Sequence, residues 1–202
     1  METKTKQLKK DLLTWYTNNK RSFSWRNTND PWKILLIEMI SQQTQINRAN
    51  TYYQIFIKKF PTPESMSKSS LKTILKMWSG LGYNNRAKRL YESSKLLAEQ
   101  GFEGIYPNFE ILPGVGPYTK NAILSFAYGD NVLAVDTNLQ RIIIRYFGID
   151  NTKDYLREYS DLLLESIKSE DLNQAFMDFG SSICTSSNTK CDICPLEKNC
   201  KK

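Results

Sequence analysis

The chain has 202 residues, with 28 Lys and Arg against 21 Asp and Glu, a formal charge of +7, 40% hydrophobic and 24% charged residues and few Gly or Pro. This composition excludes a disordered or fibrous chain and suits one large or two small domains, while the absence of histidine removes His-based triads and His metal ligands. No apolar run approaches the roughly 20 residues of a membrane span and the Lys-rich N-terminus has no signal-peptide core, so a cytosolic protein is expected, with an acidic partner, nucleic acid first.

Helical periodicity dominates and strand signals are sparse, which predicts an all-α protein. Residues 5–19 place Leu8, Leu12, Leu13, Trp15 and Tyr16 at helical spacing. In NDPW (29–32), Asp30 is placed to cap a helix and Pro31 to occupy its first position, opening a helix through about Arg48. Further helices are expected over about 49–59, 68–77, 85–99, 117–128, 137–146, 153–168 and 171–183, divided by FPTP (60–63), SGLGY (79–83), LPGVGP (112–117) and YGDN (128–131).

Within ILLIEMISQQTQ (34–45), Glu38 stands among Ile34, Leu35, Leu36, Ile37, Met39 and Ile40. It either reaches a wet edge, sits as a buried and paired glutamate, or is a carboxyl group held in apolar surroundings and raised in pKa so that it donates a proton near neutrality. On a continuous helix Gln42 would lie beneath Glu38, with Gln43 turned outward.

All four cysteines fall in the polar last nineteen residues: Cys184, Cys191, Cys194 and Cys200, spaced C-x6-C-x2-C-x5-C. In a cytosolic chain this favours metal binding over disulfides, and four thiolates suit either a structural zinc or a [4Fe–4S] cluster. Lys190, Lys198, Lys201 and Lys202 lie in or beside this loop, as phosphate contacts or as solvated charge. Arg86 and Lys88 invite the same two readings.

LPGVGPYTKNAILSFA (112–127) feeds a Gly-x-Gly turn into a helix started by Pro117. Gly114 and Gly116 can take positive φ, and the helix N-terminal amides can hold a phosphate oxygen without reading a base. The alternative is an ordinary interhelical turn.

LPGVGPYT, followed eighteen residues after Tyr118 by Asp136 in AVDTN, resembles the helix–hairpin–helix DNA glycosylase superfamily that includes endonuclease III, and the cysteine spacing matches that superfamily's iron–sulfur loop. IEMISQQTQ, WSGLGY (78–83) and NQAFMDFGSSIC (173–184) are most similar to its adenine-DNA glycosylase (MutY) branch. The likeness runs from about Trp25 to Cys200. It implies a six-helix domain over 27–134 with the hairpin at about 107–127, and an iron–sulfur domain from 1–26 and 135–202 with its cysteine loop at 184–200. It also implies a [4Fe–4S] cofactor and, as partner, double-stranded DNA carrying a mispaired or damaged base, bound by a monomer.

The implied activity is excision of adenine opposite 8-oxoguanine or guanine after base flipping. Adenine leaves once protonated at a ring nitrogen, and the sugar passes through an oxocarbenium-like state, so two carboxylates are needed. Glu38 and Asp136 match them, although Asp136 is equally a plain N-cap. Tyr118 occupies the position of the Schiff-base lysine of bifunctional relatives, which implies a monofunctional enzyme; Lys120 lies about 200° away around the helix. Asn138 matches a residue holding the catalytic water or aspartate. Gln43 and Tyr83 match wedge positions, Gln174 an amide presented to adenine, and Arg26 a pocket arginine; for Trp78 core packing is expected.

The chain ends two residues after Cys200, whereas this branch typically continues into a domain that checks for 8-oxoguanine. Asn84 and Thr137 also depart from the branch pattern, where a second tyrosine and a glycine are common. The alternatives are a thymine/uracil mismatch glycosylase and a catalytically silent iron–sulfur DNA-binding protein.

Overall fold

The computed structural model describes residues 1–202 and is helical without any strand, as the periodicity predicts. Its helices are α1 (Glu2–Asn19), α2 (Pro31–Ser41), α3 (Ile46–Lys59), α4 (Pro63–Ser67), α5 (Leu71–Trp78), α6 (Asn85–Ile105), α7 (Pro117–Ile123), α8 (Thr137–Phe147), α9 (Lys153–Leu164) and α10 (Ser169–Ser182). Two compact units divide the chain, Phe23–Tyr128 and a second made of Met1–Ser22 with Gly129–Lys202. No helix is long and apolar enough to cross a membrane.

In the Phe23–Tyr128 unit, α2 is the central element. Asp30 accepts from the amides of Trp32 (3.0 Å) and Lys33 (3.4 Å), and Pro31 stands at the first helical position. These contacts satisfy the orphan donors of the first turn. Trp32 and every residue from Ile34 to Ile40 are buried, so the helix is covered on all sides and packs against α3, α6 and α7.

The helix expected to reach Arg48 stops at Ser41, so Gln42 does not lie one turn beneath Glu38. Gln42 is extended, Gln43 is left-handed (φ 53°), and helix resumes only at Ile46. The cause is tertiary: the Arg86 guanidinium binds the carbonyls of Ile40 and Gln42. The segment expected at 68–77 is α5, with α4 as a separate turn closed by a Thr62–Ser65 capping box. Helix α6 is broken by non-helical backbone at Gly101 (φ 69°) before its last turn to Ile105, and the stretch after α7 widens into a π-helical turn, Leu124–Tyr128.

In the second unit Leu8, Leu12 and Tyr16 of α1 are buried, and α1 packs on α9 and α10. After α1, the Arg21 amide donates to Asp178 (3.0 Å) and its guanidinium pairs with the same carboxylate at 2.7 Å; Asp178 is fully buried. Helices α8 and α10 cross where Gly180 leaves no side chain: a Cβ there would lie 2.4 Å from Asn138 Cβ. The cysteine segment forms two short 3-10 turns, Cys191–Ile193 and Glu197–Asn199, anchored by buried Leu196.

Candidate active site and four-cysteine cavity

Glu38 is only 7% exposed, among the buried apolar residues of α2. Just past the end of α2, the Gln42 side chain donates to the Gly114 carbonyl at 3.4 Å, linking α2 to the hairpin. Gly114 has φ +88°, and a Cβ there would meet Met39 Cε at 2.7 Å and Arg89 Cβ at 3.2 Å. Conformation and space both demand glycine. Gly116 differs from expectation: it is extended (φ −102°), caps α7, and has nothing within 4 Å of a Cβ position, which leaves the backbone open to close approach. Tyr118 is half-buried in the first turn of α7. Lys120 is engaged elsewhere, in an ion pair with Glu110 at 2.7 Å.

Gln43 and Tyr83 are both exposed and both left-handed, at φ 53° and 49°. With Gln42, Asn84, Arg86 and Arg89 they border a solvent-open cavity of about 690 Å3. Trp78 is fully buried, as expected of a core residue, and its indole N–H donates to the Gly82 carbonyl at 3.0 Å. Arg86 fits neither of its sequence readings: it is 6% exposed and bound to backbone carbonyls, and burial lowers its pKa. Lys88 stands on a solvated face, 3.9 Å from Glu92. Arg26 lies over the Phe23 ring, itself stacked on Trp25.

In the second unit Asp136 caps α8, accepting from the Leu139 amide at 2.8 Å. Its other oxygen accepts from the Asn138 amide nitrogen at 2.6 Å. Asn138 is oriented in turn by Arg141, which donates to Asn138 Oδ1 (2.7 Å), the Gly180 carbonyl (2.8 Å) and the Cys184 carbonyl (2.7 Å). The approach to Asp136 is fixed by Asn173, whose amide group bridges the Val132 carbonyl and the Ala134 N–H, both at 3.0 Å. Gln174 is buried; its oxygen accepts from Tyr16 (2.7 Å) and its nitrogen donates to Glu170 (3.2 Å). One lone pair and one N–H of that amide stay beyond these two bonds.

Sequence reasoning did not single out Asn173, Gly180 or Arg141. A glycine inside a helical pattern is a recognisable sign of close packing; the other two reveal themselves only through their partners.

The four cysteines border one cavity of about 130 Å3, with Arg145 and Lys190 on its wall. Burial, then the neighbouring cysteines, raise the Cys194 thiol pKa. Arg145 donates to Cys184 Sγ (3.5 Å) and to the Thr185 carbonyl (2.7 Å). No group of three or more Cys, Asp or Glu side chains is arranged to hold a metal ion as the side chains stand.

Fold and site together define a helix–hairpin–helix protein with a four-cysteine loop. The pattern of the HhH-GPD superfamily of base excision DNA repair proteins matches residues 36–166, and the chain belongs to that superfamily. It is 40% identical to the adenine DNA glycosylase of Buchnera aphidicola subsp. Baizongia pistaciae, covering 94% of this chain and 56% of that protein. The chain thus spans little more than half the length of that relative. Among solved structures, a thermostable thymine-DNA glycosylase superposes with a TM-score of 0.88 at 32% identity, covering 98% of this chain and 95% of that one. A non-covalent endonuclease III–DNA complex matches at TM-score 0.80 and 20% identity over all of this chain and 95% of that one, a likeness of fold.

Proposed function

We propose that the chain is a monofunctional DNA glycosylase that flips adenine out of a mispair with 8-oxoguanine or guanine and hydrolyses its glycosidic bond. The observation that carries this reading is the similarity, along 94% of the chain, to a protein named adenine DNA glycosylase. The local geometry supports it.

Burial among apolar side chains favours the neutral, proton-donating form of Glu38, which then protonates a ring nitrogen of adenine. The C1′–N bond breaks, its electron pair leaves with the protonated base, and Asp136 stabilises the positive sugar until water adds to C1′ and passes its proton to the Asp136 carboxylate. Asn138 and the Leu139 amide hold Asp136 in one orientation for that task. Tyr118 offers no amine for a Schiff base, and Lys120 is paired with Glu110. Gln43 and Tyr83 enter the duplex, Gln174 and Arg26 meet the base, and the Gly114–Gly116 turn lies against a phosphate.

For the cysteine loop we infer a [4Fe–4S] cluster held by Cys184, Cys191, Cys194 and Cys200. Four cysteines border one cavity of about 130 Å3, which supplies the four thiolates such a cluster takes. Bound there, the cluster cross-links the loop through four Fe–S bonds.

The likeness to a thymine-DNA glycosylase over nearly the whole of both chains keeps a second reading, excision of thymine or uracil opposite guanine. Duplexes containing A opposite 8-oxoguanine, A opposite G, T opposite G and U opposite G separate the two once abasic sites are revealed with alkali. Excision from the first pair alone is expected; excision from the second pair alone establishes the alternative, and binding without any excision establishes a silent DNA-binding protein. Glu38→Gln keeps DNA binding and lowers excision by at least about 10²-fold. Normal turnover by that variant removes Glu38 from the mechanism.

A further inference from the structure

Arg86 is a buried cation on the first turn of α6 with no carboxylate among its partners. Its guanidinium donates in two directions. Nη1 reaches the carbonyls of Met39 (3.4 Å), Ile40 (2.9 Å) and Gln42, and the Thr44 hydroxyl (3.2 Å). Nη2 reaches the carbonyls of Leu81 (3.0 Å) and Gly82 (3.2 Å). One set belongs to the end of α2 and the turn after it, the other to the turn between α5 and α6.

Each turn carries an exposed side chain on left-handed backbone, Gln43 in the first and Tyr83 in the second. Non-glycine residues keep that conformation only where their surroundings impose it. The Arg86 guanidinium also lies 5.7 Å from the Tyr83 ring centre and 5.2 Å from that of Trp78. The carbonyls at the end of α2 form the negative pole of that helix and lack partners within it, so a cation is favoured there. Two acceptor sets on different turns require a planar fork with separate nitrogens, which lysine does not have.

We infer that Arg86 is a positioning residue that locks the two turns together, so that Gln43 and Tyr83 enter DNA as one preformed wedge. This rests on the base-flipping reading above. The test uses Arg86→Lys, which keeps the charge and loses the fork, alone and in a Glu38→Gln background. In that background, a duplex with 2-aminopurine replacing the target adenine reports opening by fluorescence without any excision. Arg86→Lys is expected to abolish most of the fluorescence rise at saturating protein.

With Glu38 intact, single-turnover excision falls about tenfold on the mispaired duplex. It falls less than about twofold when the same adenine sits in a pre-melted bubble, where the unstacking cost is already met. Thr44→Val, which removes one acceptor and keeps the shape, gives the same pattern at about threefold, and it covers the case of an Arg86 variant that does not fold. Equal losses on both substrates, or an unchanged fluorescence rise, overturn the inference. A parent protein that opens the duplex and excises no adenine refutes the activity instead, while loss of opening in Arg86→Lys still supports the positioning role.

Discussion

Alanine in the interior of a helix normally stabilises relative to glycine by about 1 kcal/mol. Gly180→Ala in α10 should do the reverse. The new Cβ would stand 2.4 Å from Asn138 Cβ and 2.8 Å from Asn138 Cγ and Oδ1. Carbon atoms at rest sit about 3.5–4.0 Å apart, so α8 and α10 must separate by on the order of 1 Å. A Cβ cannot rotate away, which places the cost at or above the upper end of the roughly 1–3 kcal/mol of overpacking. With the helix preference returned, the net loss is about 2 kcal/mol. For a chain of this length that lowers the melting temperature by roughly 4–8 °C.

The same displacement moves Asn138, which is bonded to Asp136 at 2.6 Å, so single-turnover excision should fall by about 10²-fold. Gly116→Ala, at an open position with φ −102°, is the control and should melt with the parent. Thermal melts and excision rates measured on all three proteins decide the matter. A Gly180→Ala protein that melts at or above the parent refutes the packing argument.

Arg21→Ala removes the guanidinium that stands 2.7 Å from the buried Asp178 carboxylate and should cost about 3 kcal/mol in urea unfolding; a loss below about 1 kcal/mol would show that the pair is dispensable. Glu170 has its pKa raised, chiefly by burial and then by Asp171. The folded state therefore binds a proton more readily than the unfolded one just above the ordinary carboxylate range, and stability from this group declines as pH rises through that window. Glu170→Gln should accordingly gain on the parent at pH 7 and lose that gain as pH falls toward 4.5, the group's reference value; a pH-independent difference in melting temperature contradicts this. Purified without oxygen, the protein should be brown and hold about four iron and four sulfide per chain, and Cys194→Ser should lose both colour and iron. One zinc per chain, with no colour, would replace the cluster with a single ion.

Local chemistry made much of the fold legible. Asp30 before Pro31 marks the start of α2, and Asp136 caps α8, because both signals act within three or four residues. The end of α2 was not legible, since nothing in QQTQ forbids helix. It ends because a side chain over forty residues later takes its carbonyls, and backbone acceptors have no letter in the sequence. Arg86 was misread for the same reason: on a helix rich in charge, only its partners distinguish it from solvated neighbours such as Lys88. Gln174 illustrates a middle case, where the motif singles out the residue and the structure adds that Tyr16 and Glu170 already fix its amide.

The discontinuous unit sets an order of events during synthesis. Helix α1 emerges first, yet its buried face, Leu8, Leu12 and Tyr16, packs on α9 and α10, and Lys4 bonds the Tyr146 carbonyl 142 residues away. At about 5–20 residues per second, the ribosome takes roughly 5–20 s to pass from Ser22 to Gly129. During that interval Phe23–Tyr128 can close its own core, while α1 waits as an amphipathic segment with no partner yet made. The nascent chain therefore carries an exposed apolar stripe on α1, and final assembly comes only after α10 has left the ribosome.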